Sequence, residues 1–238
     1  MSKALLADKR FAQAEPLFEP YQVVCDEGSL VAIHKPPGLP STGMKMHDPY
    51  CLQHILLTDF REMLWAVHQL DMDTSGLILF VREKSAVQFW KRRMSHPDCH
   101  KVYWAICHGN PEFSKKRVEA PIGETSDHFQ WGVTEQGKEA ITEIEVMEQV
   151  EGFALVKVKI ITGRTHQIRV HMRYLGFPLV GEQWYLEPPC TRFHRQALHA
   201  HAICFADEYK PSVLSTPLHK DLRLLAEALG FRQAEWSF

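Results

Sequence analysis

The chain contains no apolar run approaching the roughly 18 residues that a membrane span needs. Its opening, MSKALLADKRFAQAEPLF, interleaves charged and apolar residues too closely for a secretory leader. None of the six cysteines (Cys25, Cys51, Cys99, Cys107, Cys190, Cys204) stands in a CxxC pair, and their spacing is irregular. That speaks against a disulfide framework and for reduced thiols in a cytoplasmic protein. HExxH is missing, and no carboxylate follows His194, His199 and His201 at ligand spacing, so 14 histidines give only a weak metal signal. No internal repeat, low-complexity tract or long linker divides the chain. A net charge of −2 argues against a nonspecific nucleic-acid binder, but local basic groups are present. One holds Lys157, Lys159, Arg164, Arg169 and Arg173; the other holds Arg82, Lys84, Lys91, Arg92, Arg93 and Lys101.

What is there fits one large domain over residues 21–238, with residues 1–20 as an N-terminal extension. YQVVCD and LVAIHK read as a hairpin around EGS, stopped by Pro36-Pro37-Gly38. A short helix is expected in CLQHILLTDFREML. AVHQL and GLILFVRE read as strands joined by the turn Asp71 to Ser75. Ser85 is placed to cap a helix over AVQFWKRRM, and VYWAICH is a strand ended by Gly109-Asn110-Pro111. AITEIEVMEQV and FALVKVKII form a long hairpin around Glu151-Gly152. Thr165 would cap a helix that runs to Gly176, with His166, Arg169 and Arg173 on one face and Ile168, Met172 and Leu175 on another. LHAHAICF is a further strand, and DLRLLAEALG a closing amphipathic helix. The class is α+β, with helices packed on a mostly antiparallel, mixed sheet.

Three stretches carry candidate chemistry. In His68-Gln69-Leu70-Asp71-Met72-Asp73-Thr74-Ser75-Gly76, an acid in a tight turn sits at the sheet edge within reach of a ligand. Gly76 permits an unusual backbone angle there. The plain alternative is a connecting Asx-turn. In Thr162-Gly163-Arg164-Thr165-His166-Gln167-Ile168-Arg169, a glycine turn delivers cations to a helix start, a place that attracts phosphate or carboxylate. An arginine buried beside an aspartate would keep that acid ionised and aimed. In Lys101-Val102-Tyr103-Trp104, Tyr103 points away from its neighbours' face and could stack a base drawn from its helix.

These motifs, in this order, resemble the RluA-type family of RNA pseudouridine synthases over roughly residues 21–230, in its short form without an S4-type module. The resemblance implies a pseudouridine-synthase-like catalytic domain that isomerises a uridine in structured RNA, rRNA or tRNA. Asp71 in HQLDMDTSGL matches the catalytic aspartate, Tyr103 in KVYWAICHG the base-stacking tyrosine, and Arg169 in TGRTHQIRVHM the arginine that pairs with the acid. Leu198 in RQALHAHAI matches the apolar residue beneath the target base, and Lys35 and Gly38 in AIHKPPGLPS an N-terminal motif. With these, Lys35, His68, Gln69, Thr74, Arg164, His166 and Leu198 are expected to contact substrate RNA. Gln69 departs from the family's arginine at a position thought to enter the RNA helix; it can hydrogen bond but carries no charge. His34 for asparagine and Glu182 in a Gly-Asp-like turn are further departures. The reaction moves the glycosidic bond from uracil N1 to C5 with no redox change, so the resemblance implies no cofactor and no metal. It also implies an RNA partner, no membrane, no obligate protein partner and a monomer. A rival reading keeps the fold as an inactive RNA-binding or RNA-folding protein, fed by Gln69; a metallohydrolase is a second rival.

Overall fold

The computed structural model describes residues 20–43, 48–125, 131–190, 192–206 and 210–232. Nearly all of the expected N-terminal extension lies outside them. In chain order the elements are β1 (Gln22–Glu27), β2 (Leu30–Lys35), α1 (Leu52–Phe60), β3 (Trp65–Ala66), β4 (Ser75–Val81), α2 (Ala86–Met94), β5 (His100–His108) and β6 (Lys115–Glu119). They continue with β7 (Ile122–Glu124), β8 (Trp131–Val133), β9 (Ile141–Val150), β10 (Phe153–Ile160), α3 (Gln167–Tyr174), β11 (Leu198–Cys204), β12 (Val213–Ser215) and α4 (Lys220–Leu229).

One large sheet runs β1-β2-β4-β11-β5-β10-β9-β6, with β3 beside β4 and β12 beside β11; β7 and β8 form a separate pair. All its pairings are antiparallel except β4 with β11, which run parallel through Ser75↔His199 and Gly76↔Ala200. Helices cover both faces. On the front, Leu52 and Leu56 of α1 and Ile168 and Met172 of α3 pack on Ile33, Ile78, Tyr103, Val156 and Val158. On the back, Trp90 and Met94 of α2 meet Leu77, Leu79 and Val81, while Leu222 and Ala226 of α4 meet Trp104, Ile106 and Leu155. A strand covered on both faces needs no alternation, and the continuous run SGLILFV of β4 is buried throughout. On β5 the alternation is kept. Tyr103 and Ala105 face front; Trp104 and Ile106 face back.

The sequence-based expectations hold for both hairpins and for the helices, with three corrections. AVHQL is not a strand beyond Ala66: the Val67 N–H still donates to Leu79 O at 2.9 Å, but from His68 onward the backbone leaves β4 and enters the turn that carries Asp71. Ser85 precedes α2 without capping it, since its hydroxyl reaches Glu83 at 3.4 Å instead. Thr165 does not cap α3 either, and His166 lies before the helix rather than on it, with a left-handed φ of 54°. Gln167 organises that start. Its amide oxygen accepts from Thr162 Oγ1 at 2.8 Å and from the Arg164 N–H at 3.0 Å, and its nitrogen donates to Ile141 O and Thr142 Oγ1.

Candidate active site

The parallel pairing of β4 with β11 builds the floor of the site. It sets the turn before β4, which carries Asp71, beside the start of β11, which carries Leu198. Only glycine fits at the contact: Gly76 has φ 115°, and a Cβ there would lie 2.1 Å from the Ala200 carbonyl oxygen. Tyr103 arrives from β5, whose Tyr103↔Ala200 register places it next along the sheet. Arg169 and His166 arrive from α3 and the loop before it. Asp71, Tyr103, Arg169, His166 and Leu198 thus line one cleft of about 840 Å³, together with His68, Gln69, Thr74 and Arg164.

Asp71 is held from two sides. Arg169 Nη1 donates to its Oδ2 at 3.2 Å, and His166 Nε2 lies 3.8 Å from its Oδ1. The acid keeps 25% of its side chain open to solvent, whereas Arg169 is almost fully buried. A buried guanidinium needs compensation, and Glu182 supplies it through two bonds of 2.8 and 2.7 Å. Burial works against the Arg169 charge, but the Glu182 hydrogen bonds and the Glu182 and Asp71 charges outweigh it and raise its pKa. Burial likewise pushes Glu182 up, yet Arg169 and the N–H groups of Trp184 and Tyr185 leave it below the usual carboxylate range. Burial first, and Arg169 besides, lower the His166 imidazole against the pull of Asp71, while Nδ1 shares a 2.5 Å bond with Tyr185 OH. Tyr103 is raised well above an ordinary phenol by burial and by the Asp71 charge. It is therefore a neutral ring lining the same cleft as the acid.

Two further cations brace the turn from below. Lys35 Nζ donates to Met72 O, Leu39 O and Pro36 O at 2.7, 2.7 and 2.9 Å and has no exposed surface. Burial, with Arg195 nearby, draws it down to about 7 against the pull of Asp73 and Asp71. Lys35 is a staple between the KPPGL segment and the turn that carries Asp71, and does not line the cleft as the resemblance implied. Arg195 Nη1 donates to Asp73 O at 2.9 Å and Leu198 O at 3.1 Å, and its other nitrogens bind both oxygens of Asp221. Thr74 is buried, with its hydroxyl accepting from Gln196 Nε2 at 3.3 Å. His68 Nε2 accepts the Leu79 N–H at 3.1 Å, anchoring the wall, and exposed Gln69 donates to Thr42 Oγ1 at 2.8 Å.

The basic groups do not form two patches around the cleft. Lys91, Lys101, Arg164 and Arg169 reach it. Arg82 is spent on Asp26 and Glu62, Arg93 is packed between Trp90 and Phe205, and Lys157 and Lys159 project from the opposite face of the sheet. His199 Nδ1 meets Ser75 Oγ, His201 Nδ1 donates to Thr216 O, and a bulge interrupts β11 between Ala200 and Ala202. Among the described residues no group of three His, Cys, Asp or Glu side chains is placed to hold a metal, and no helix is long and apolar enough to cross a membrane.

Glu182, Tyr185, Arg195 and Asp221 were not singled out from sequence as functional. The only signal was Glu182 in its Gly-Asp-like turn, where Gly181 (φ 76°) passes within Cβ-clash distance of Arg195 O.

A mixed, mostly antiparallel sheet with helices on both faces is the fold of the pseudouridine synthases. Human RNA Pseudouridylate Synthase Domain Containing 4 superposes with a TM-score of 0.70 at 24% identity, covering 87% of this chain and 92% of that one. Domain Containing 1 gives 0.67 at 26%, covering 91% and 97%. The family described as RNA pseudouridylate synthase matches residues 29–174. The dual-specificity RNA pseudouridine synthase RluA of Vibrio cholerae is 34% identical over 186 residues, 77% of this chain and 76% of that protein. An uncharacterized RNA pseudouridine synthase of Zymomonas mobilis is 32% identical over 206 residues, 84% of this chain and 94% of its own length. Another, of Bacillus subtilis, is 37% identical over 168 residues; these are 68% of this chain and 55% of that protein, so the match spans about half of that relative's length. The chain belongs to the RluA-type family of RNA pseudouridine synthases.

Proposed function

We propose that the chain isomerises a specific uridine of structured RNA, rRNA or tRNA, to pseudouridine, with Asp71 as the catalytic carboxylate. The observation that carries this reading is the Asp71–Arg169 pair at 3.2 Å, set in a cleft beside a neutral tyrosine and an apolar floor. The guanidinium gives the carboxylate a charge-assisted hydrogen-bond partner that aims it into the cleft. Arg169, itself clamped by Glu182, positions it. Tyr103 and Leu198 offer a ring and an apolar surface between which a flipped uracil fits. Lys91, Lys101 and Arg164 give the cleft the cations that strand phosphates need. The carboxylate opens the route to breaking the C1′–N1 bond; the freed uracil rotates in place and rejoins C1′ through C5, whose proton passes to solvent as N1 takes one up. Every heavy atom of the base is retained, and the protons balance.

The rRNA part of this choice draws on the name of a relative, and the tRNA part on the family resemblance. One from Vibrio cholerae is named as dual-specificity, and one from Xanthomonas campestris, 30% identical over 239 residues, as a ribosomal large subunit pseudouridine synthase. The test is Asp71→Ala and Asp71→Asn. Turnover should fall by roughly 10³-fold or more while RNA affinity stays within about threefold of wild type. Equal loss of binding and turnover contradicts the assignment. An unmodified substrate pool with the wild-type protein would favour the inactive RNA-binding reading that Gln69 suggests.

A further inference from the structure

Trp184 neither lines the cleft nor braces its floor. Its backbone N–H donates to Glu182 Oε1 at 3.0 Å, so the carboxylate that clamps Arg169 also fixes where the indole is set. The Arg169 guanidinium lies 5.7 Å from the ring centroid, and His166 meets the ring edge-on with centroids 5.6 Å apart. Both of those residues touch Asp71. Yet the indole is 55% exposed. Shielding the buried Arg169–Glu182 pair does not explain it, because Tyr185 already does that, 2% exposed and with its ring 5.0 Å from the guanidinium. A large aromatic surface is therefore held in place and open to water, one residue away from Asp71. An exposed indole gains most when another flat ring lies on it.

We propose that Trp184 is a stacking platform for a nucleobase of the RNA strand adjacent to the uridine that Asp71 acts on. The inference rests on the reading of Asp71 given above. When a uridine leaves its stack, the neighbouring base loses a partner, and an indole at the rim of the cleft replaces it. Every base has such a face, so the platform tolerates sequence while favouring unpaired strands over duplex.

The test uses the full chain with Trp184→Leu, which keeps an apolar cover without a ring, and Trp184→Phe, which keeps a smaller ring. Tryptophan fluorescence and affinity are measured with a ten-nucleotide oligouridylate and with an abasic ribose–phosphate oligomer of the same length and charge. Oligouridylate should quench a component of wild-type emission that both variants lack. Its affinity should fall about tenfold in W184L and less in W184F. The abasic oligomer should bind all three proteins alike. On RNA that the enzyme modifies, W184L should raise KM with kcat unchanged. Unaltered oligouridylate affinity in W184L overturns the proposal, and so does equal wild-type affinity for the two oligomers. A W184L protein whose melting temperature and kcat drop along with affinity would assign the indole to structure and overturn it too. The binding arm needs no turnover. If Asp71→Ala keeps the quench and wild type forms no pseudouridine, the functional reading fails and the platform stands; pseudouridine formation indifferent to W184L sinks the platform alone.

Discussion

At the scale of single residues, the site depends on a chain of compensation. Asp71 needs Arg169 to hold it, and Arg169, being buried, needs Glu182. Sequence pattern reaches the first link and not the second. Asp71, Tyr103, Arg169 and Leu198 stand in motifs that the family resemblance made readable, whereas alternation and turn residues alone placed them only on a turn, two strands and a helix. Glu182 lies 13 residues beyond Arg169, and nothing local says that it is buried and paired. Removing its charge tests the link. Glu182→Gln keeps the shape but leaves a buried guanidinium with Asp71 as its remaining counter-charge. Urea unfolding should show a loss of about 3 kcal/mol, the lower end for removing one partner of a buried pair. Steady-state kinetics should show kcat falling more than KM rises, because aim is lost rather than binding. A variant with wild-type kcat would show that Arg169 positions Asp71 without Glu182.

At the scale of elements, the turn that carries Asp71 is a loop held like core. Lys35 grips Met72 O, Arg195 grips Asp73 O, and the parallel seam of β4 and β11 fixes the turn's far end. The strand assignments succeeded where a turn signal joins two apolar runs, as in the hairpins β1–β2 and β9–β10. They failed at AVHQL, where the last bond to β4 is made by the Val67 N–H and the backbone then turns away. The start of α3 was misread for a related reason: a threonine in the usual capping position lost to Gln167, whose amide satisfies the preceding turn from inside the helix. Lys35 shows how an element-scale role hides behind a residue type. A lysine in a segment that resembles a family motif suggests phosphate, but this one faces three carbonyls. Lys35→Met should cost at least about 3 kcal/mol in unfolding experiments, since each orphaned buried acceptor costs about 1–3 kcal/mol. RNA affinity of the folded variant, and its dependence on salt, should match wild type. A shallower salt dependence would instead make Lys35 a phosphate contact.

At the scale of the molecule, the two-faced sheet buries titratable groups as well as apolar ones. Burial lowers His34 and His68 to about 4 from 6.5, with the neighbouring His219 and Lys35 adding to the shift at His34 and Lys101 at His68. Burial drives His199 further down, helped by the surrounding histidines and Arg195. In the unfolded chain these imidazoles take up protons near 6.5, while the folded protein resists them. Their contribution is thus fully present above pH 6.5 and is lost as the pH falls from 6.5 toward 4. Melting temperature followed across that window should decline steadily; a flat profile would mean the rings are protonated in the folded state.

The most direct measurement of the whole is pseudouridine mapping of total RNA from cells with and without the gene, using a reagent that marks pseudouridine. At least one site in rRNA or tRNA should disappear without the gene, return with the wild-type protein, and stay absent with Asp71→Ala. Restoration of that site by Asp71→Ala would contradict the central assignment, and no change at any site would contradict the activity.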